Sequence, residues 1–144
     1  MFFNIIIENE DDLKGEDAGW VSGYFEIGEN LFSMNCFKDG KCMIMLTLID
    51  LIHIIINNKQ QKNTNWIGAD NGKTISIFTN KAEIYFKNDT DNIKLNFELF
   101  TDTLKESVRS FIKKCKMNNE NIFTKSAFID LYNSYEEFIL FEKT

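Results

Sequence analysis

The sequence predicts an α+β fold: a largely antiparallel sheet of about six strands, with one short buried helix and two C-terminal helices packed on it. Three observations support this prediction. Strand-like runs come first and helical patterns come last, an order typical of α+β proteins. The 144 residues correspond to a single domain, residues 1–144. Hydrophobic residues make up 44% of the chain, enough to build a core without disulfides or metals.

The first two predicted strands lie near the N-terminus. Residues 2–7 are a short run of β-prone residues, and residues 19–27 alternate in a strand-like way. In the second run, Val21, Phe25 and Ile27 fall on one face. The other face carries Trp20, Ser22, Tyr24 and Glu26.

Two further strands, residues 31–37 and 41–46, flank Asp39 and Gly40, a residue pair typical of a two-residue hairpin. Both faces of this hairpin are apolar, so it is expected at the centre of the sheet. In this register Cys36 and Cys42 point to opposite faces, and a disulfide between them would need a register slip. We therefore expect reduced, core-type cysteines.

Residues 48–57 are interpreted as a short buried helix, with a capping-like start from Thr47 to Asp50. Their polar side chains recur at helical spacing, at Asp50, His53 and Asn57. A buried strand is the alternative, because residues 54–56 are three consecutive isoleucines. Residues 57–65 are predicted to be a polar loop.

The next predicted strands, residues 74–78, 82–86 and 93–99, form a meander after a turn at residues 70–72. A helix then begins at a cap formed by Thr101 and Asp102. Its apolar stripe consists of Leu104, Val108, Phe111, Ile112 and Cys115. A second helix spans about residues 125–138, and its apolar face comprises Phe128, Leu131, Tyr132, Tyr135, Phe138 and Ile139.

Few residues form a pattern associated with catalysis or cofactors. Residues 68–74 end in Gly-Lys-Thr, but the glycine spacing is one residue short and a strand follows, so we interpret them as a turn and not as a phosphate-binding loop. Asp50 and His53 could form an acid–base pair in a small enzyme, completed at a dimer interface. With one histidine and scattered cysteines no metal or other cofactor is expected, and we assign no catalytic residue.

The charge distribution is the strongest functional observation. The net charge is −6, and residues 8–17 alone carry −5, from six acids and one lysine. Such a chain repels nucleic acids and anionic membranes and attracts basic partners. A solvated loop is the plain alternative, but acidic rims beside aromatic anchors are typical of binding sites. The candidate partner-binding residues are Glu8, Glu10, Asp11, Asp12, Glu16, Asp17, Trp20 and Tyr24.

The chain resembles the small immunity proteins that accompany bacterial polymorphic and contact-dependent growth inhibition toxins. The resemblance extends over residues 20–111, through Gly23 and Tyr24, the apolar helix with Asp50, and the Trp-Ile-Gly-Ala-Asp run at residues 66–70. It implies a non-enzymatic, stoichiometric inhibitor of a toxin C-terminal domain. That domain is often a basic nuclease, whose active site the immunity protein would cover with carboxylates in place of phosphates.

Three alternatives remain open from the sequence. A phage-encoded inhibitor of a nucleic-acid enzyme would use the same electrostatics, and an enzyme would use Asp50 and His53. A homodimer would pair exposed sheet edges. The abundance of lysine, asparagine and isoleucine and the absence of proline are typical of an AT-rich bacterial or phage genome. The N-terminus lacks a basic region and a cleavage site, so a cytoplasmic location is expected.

Overall fold

A computed structural model describes residues 1–57 and 62–142 of the chain. It confirms the α+β class and the antiparallel strand pairing. The strands, however, form two sheets of four strands each, and not one sheet of about six. The single-sheet prediction is therefore wrong.

The first sheet is built around one long central strand. Its strands are β1 (Phe2–Ile7), β2 (Ser22–Glu29), β3 (Phe32–Cys36) and β4 (Cys42–Met43). β1 pairs with one edge of β2 over the full length of β1. The other edge of β2 is shared, because β4 pairs with its first two residues and β3 with its last five.

The predicted hairpin at Asp39 and Gly40 is wrong for this reason: β3 and β4 both pair with β2 and not with each other. Cys36 lies opposite Phe25 and Cys42 lies opposite Gly23. Phe25 and Gly23 are two positions apart on β2, so the two thiols lie on the same face, contrary to the prediction. The true hairpin joins β2 to β3 at residues 30–31, where Asn30 adopts a left-handed φ of 55°.

Residues Ile44–Asn57 form helix α1, which confirms the helix over the alternative strand. The helix begins four residues earlier than predicted, so Thr47 lies inside it and does not cap it. Thr47 is fully buried. Its hydroxyl accepts a hydrogen bond of 3.0 Å from the backbone N–H of Ala69, and its carbonyl accepts one of 2.9 Å from Trp66 Nε1.

The second sheet is a meander of four antiparallel strands in sequence order. The strands are β5 (Lys62–Ile67), β6 (Thr74–Thr79), β7 (Glu83–Lys87) and β8 (Asn92–Asn96). The last three were predicted, whereas β5 includes residues 62–65, which were predicted as part of a polar loop; residues 58–61 of that loop lie outside the described residues. β5 and β6 are joined by the predicted turn, in which Gly68 N–H donates to Lys73 O at 2.9 Å.

Helices α2 (Phe97–Asn118) and α3 (Ser126–Ile139) follow, as predicted. α2 begins at Phe97 and not near Thr101, because the Asn96 side chain caps it by accepting from Leu99 N at 2.9 Å. The predicted strand 93–99 therefore ends early, and Leu99 is exposed. The predicted stripe of α2 is buried, but Ile139 of α3 is 42% exposed. None of the described helices is long and apolar enough to cross a lipid bilayer.

Trp66 links the two sheets through the core. The centre of its ring lies 5.4 Å from the ring centre of Phe25 in the first sheet. The corresponding distances are 4.9 Å to Phe37 and 6.2 Å to Phe86 of the second sheet. Phe100 of α2 extends this cluster, because its ring centre lies 5.1 Å from that of Phe86. α2 also packs along β1, and α3 packs on α1 and α2. This arrangement brings the end of α2 and the start of α3 beside the residues that follow β1.

Candidate functional site

The acidic segment, residues 8–17, connects β1 to β2 and has a defined backbone conformation. A short 3-10 helix spans Glu10–Lys14. The side chain of Asn9 caps this helix by accepting from Asp11 N at 3.1 Å. The Gly15 N–H closes it by donating to Asp12 O at 3.3 Å. The sequence favours such a turn because asparagine at a helix start satisfies a free backbone donor.

Two residues attach this segment to the body of the protein. Leu13 is the single large apolar residue of the segment, and its side chain is 0% exposed. Asn119, at the end of α2, donates from Nδ2 to Leu13 O and to Gly15 O, each at 3.0 Å. Asn119 is 8% exposed, and its bond to Leu13 O is buried, whereas its bond to Gly15 O is half-buried. The backbone of the acidic segment is therefore attached to the end of α2, while its charged side chains are exposed to solvent.

The six carboxylates of the segment fall into two groups. Glu10 is paired with Lys114 of α2 at 2.6 Å, and Asp11 lies 3.8 Å from Lys14. Within residues 1–57 and 62–142, the other four make no ion pair. These four exposed carboxylates belong to Glu8, Asp12, Glu16 and Asp17. They are available to a partner without the loss of an internal salt bridge.

Trp20 lies directly beside the acidic segment. It belongs to a 3-10 helix, Ala18–Trp20, and not to the strand in which the sequence prediction placed it. The backbone N–H of Trp20 donates to Asp17 O at 2.9 Å, and the residue is 55% exposed. Gly19 allows this turn to approach α3 closely, because a Cβ there would lie only 3.3 Å from the Ala127 side chain. The structure thus positions a large, exposed aromatic ring directly after the acidic segment.

Tyr24 has a different environment from Trp20. It lies within β2, and the ammonium groups of Lys38 and Lys41 are 5.5 and 5.0 Å from the centre of its ring. These distances are typical of cation–π contacts. The Tyr24 ring therefore lies beside two positive charges of this chain, and no described hydrogen bond or ring contact joins it to the acidic segment.

Asp50 and His53 both lie on α1, but each has a partner elsewhere. The Asp50 carboxylate accepts from the backbone N–H of Ile67 at 3.0 Å. His53 Nε2 lies 3.1 Å from Ser134 Oγ on α3. Ser134 is buried, whereas His53 is exposed. These contacts join α1 to β5 and to α3, and no described hydrogen bond joins Asp50 to His53.

The Trp-Ile-Gly-Ala-Asp run at residues 66–70 ends β5 and begins the turn that leads to β6. Trp66 is buried between the sheets, as described above. Gly68 is required by packing, since a Cβ there would lie 2.6 Å from the Phe37 ring. Asp70 and Gly72 adopt left-handed backbone conformations, with φ of 72° and 68°. Residues 68–73 are thus a tight turn leading into β6, which confirms the turn interpretation over a phosphate-binding loop.

Sequence analysis did not identify the two residues that hold the acidic segment in place, Leu13 and Asn119. Leu13 had a usable signal: a lone leucine among acids is a typical anchor for a surface turn. Asn119 had none, because it lies 106 positions from Leu13 in the chain. Its side chain meets the segment only after α2 has packed along β1.

Comparison of the chain with protein-family models, with curated proteins and with solved structures gave no match.

Proposed function

We propose that this protein is a non-enzymatic inhibitor that binds a basic protein partner, acting as a cytoplasmic immunity protein against a cognate bacterial toxin domain. The observation that carries the proposal is the acidic segment itself. Among the described residues, four of its carboxylates have no ion-pair partner. Its backbone is anchored by Leu13 and Asn119, and Trp20 is exposed beside it. The partner would be a basic domain, such as that of a nuclease.

A fixed acidic surface is well suited to this role. Ordering a loop on binding costs free energy, and a segment that is already ordered avoids much of that cost. The clustered carboxylates would attract a basic partner over distance and accelerate the encounter. In a nuclease, they would also occupy the positions that bind substrate phosphates.

Trp20 would act as the anchor of this interface. Tryptophan is enriched among residues that dominate binding energy, especially where surrounding contacts exclude water from it. A side chain that is 55% exposed in the free protein has apolar area left to bury against a partner. The acids would then attract and orient the partner, and Trp20 would add buried apolar area to the interface.

Affinity capture from the native host, at low and at moderate salt, tests this proposal. Three forms of the protein serve as bait: the wild type, an acidic-segment variant and a charge-matched control. The acidic-segment variant carries Asp12→Lys, Glu16→Lys and Asp17→Lys. The control carries Asp89→Lys, Asp130→Lys and Glu137→Lys, at exposed positions outside the segment. Both variants have the same net charge.

The proposal predicts that the wild type and the control capture one basic protein in equal amount, and that the acidic-segment variant does not. Salt is expected to release the captured protein. Its identification then separates a toxin domain from a host nucleic-acid enzyme, the target of a phage-encoded inhibitor. Capture by all three forms alike, or by none, would contradict the proposal.

A further inference from the structure

β1 is an edge strand whose outer main-chain groups can be assigned from its pairing. Glu8 N–H donates to Ser22 O at 2.9 Å, and Glu8 continues the register of β1 against β2. In an antiparallel ladder, hydrogen-bonded positions alternate with positions that face away. The even-numbered residues of β1 therefore bond to β2, and Phe3, Ile5 and Ile7 direct their N–H and C=O groups to the outer edge.

One independent contact confirms this assignment. Ser107 Oγ of α2 donates to Phe3 O at 2.7 Å, so the carbonyl of Phe3 does face outward. No described residue forms a hydrogen bond with the outward groups of Ile5 or Ile7. Natural edge strands are commonly blocked by a lysine, a proline, a bulge or a covering helix. Here α2 covers the edge at Phe3 through Ser107, so the free edge is limited to Ile5 and Ile7. The sequence of β1 contains no lysine and no proline.

A groove lies along this edge, between β1 and the flank of α2. Its volume is about 420 Å³, and its α2 side includes the small side chains of Ser107 and Ser110. Asp102 and Glu106 line the continuation of the groove toward the start of β1. At the other end, β1 leads directly into Glu8 and the rest of the acidic segment.

The charges at this edge are predominantly negative. Lys114 lines the groove but is paired with Glu10, and Glu106 is paired with Arg109. Within the described part of the chain, Asp102 and Glu8 form no ion pair. Unpaired carboxylates thus lie beyond both ends of the free edge.

From this geometry we infer that an extended, basic segment of the partner protein adds to the sheet as a strand alongside β1. Its main chain pairs with the outward groups of Ile5 and Ile7, and its basic side chains reach Asp102 and Glu8. This inference rests on the proposed function and specifies how the partner is bound. Strand addition of this kind derives its affinity from main-chain hydrogen bonds. A second copy of this chain fits less well, because it would bring its own Asp102 and Glu8 to the same edge and like charges would repel.

Amide hydrogen exchange measured by NMR tests the inference with synthetic peptides. The probe is a short peptide of alternating lysine and valine. One control has the same sequence with N-methyl groups on the alternate amides that would pair with β1. A second control replaces each lysine with glutamate. We expect the probe to slow exchange at the Ile5 and Ile7 amides by about tenfold or more, as new hydrogen bonds form. Neither control should do so.

Ile5→Pro removes a pairing N–H from the protein, as N-methylation removes it from the peptide. The N–H that it removes has no described partner, and edge strands accept proline at such positions. The variant should therefore fold and bind the probe about tenfold more weakly, the effect of losing a main-chain hydrogen bond. If Ile5→Pro does not fold, the N-methylated peptide still tests the same contact in the unmodified protein.

Three results would overturn the inference. The probe could leave exchange at Ile5 and Ile7 unchanged, or the N-methylated peptide could protect them equally. Protection could also appear without peptide and increase with protein concentration, which would indicate pairing between copies of this chain. Strand addition can also fail while the proposed function holds. This would be the result if a captured basic protein bound the wild type and Ile5→Pro equally but did not bind the acidic-segment variant.

Discussion

Cys36, Cys42 and Cys115 behave as small apolar core residues because all three side chains are buried. Burial disfavours the charged thiolate and raises the thiol pKa. It raises the pKa of Cys42 to about 11 and that of Cys115 to about 12, and it also raises the pKa of Cys36. Since the thiolate is the reactive form, these cysteines are expected to be inert in the folded protein.

We predict that iodoacetamide at slightly alkaline pH modifies none of the three thiols in the native protein and all three in denaturant, as measured by mass spectrometry.

The raised pKa values of the thiols also have a consequence for stability. The pKa of an unfolded thiol is about 8.5, whereas burial raises the pKa of Cys42 in the folded protein to about 11. The free energy of unfolding should therefore fall as the pH rises through this window. Cys42→Ala should show a shallower fall, and rapid native modification of Cys42 would contradict the burial argument.

At the scale of elements, the acidic segment depends on α2 for its conformation. Asn119 donates to two carbonyls of the segment, and its Oδ1 accepts from Asn121 N at 3.0 Å. Removing this side chain leaves the buried carbonyl of Leu13 without this donor, and an unsatisfied buried acceptor typically costs about 1–3 kcal/mol. The exposed ion pair between Lys114 and Glu10 contributes less, since surface pairs are worth about 0–1 kcal/mol.

Asn119→Ala is therefore predicted to lower the free energy of unfolding by about 2 kcal/mol. The amides of Asp12 and Gly15 should also exchange faster with solvent, because the turn that they close loses its anchor. Chemical denaturation and amide exchange measure the two effects. Asn118→Ala is the matched control, since Asn118 makes one bond within its own helix. Equal effects of the two substitutions would show that the Asn119 side chain does not hold the segment.

The elements differ in how far the sequence alone predicts them. The buried stripe of α2 was predicted correctly because its spacing depends only on the helix period. Its start was missed because the alternation of β8 runs on into Phe97, and Asn96 is a less obvious cap than Thr101 and Asp102. The hairpin was misplaced because turn residues occur both at residues 30–31 and at residues 39–40, and only tertiary pairing with β2 decides between them.

The candidate site shows the same division between local and long-range information. Its carboxylates and Trp20 were identified from composition and clustering, which are local properties. Its anchoring through Asn119 and the free edge of β1 depend on how α2 packs along β1, which no local pattern contains. The face shared by Cys36 and Cys42 was likewise missed because it follows from strand pairing.

At the scale of the whole molecule, residues 8–17 carry −5 of the net charge of −6, beside an exposed tryptophan and a free sheet edge. Salt screens interactions between exposed charges, whereas it changes apolar contacts and main-chain bonds far less. Binding through the acidic segment must therefore weaken with salt, and binding through another face need not. This difference makes the salt dependence of affinity diagnostic.

Isothermal titration of the captured basic partner into the purified protein, at low and moderate salt, measures whether the acidic segment binds the partner. We expect one-to-one binding that weakens with salt. We also expect a loss of roughly a hundredfold in affinity when Asp12, Glu16 and Asp17 are changed to lysine, from several charge contacts of about 1 kcal/mol each. The control with Asp89, Asp130 and Glu137 changed to lysine should bind like the wild type. Equal affinities for the two variants, or binding insensitive to salt, would contradict the claim that the acidic segment binds the partner.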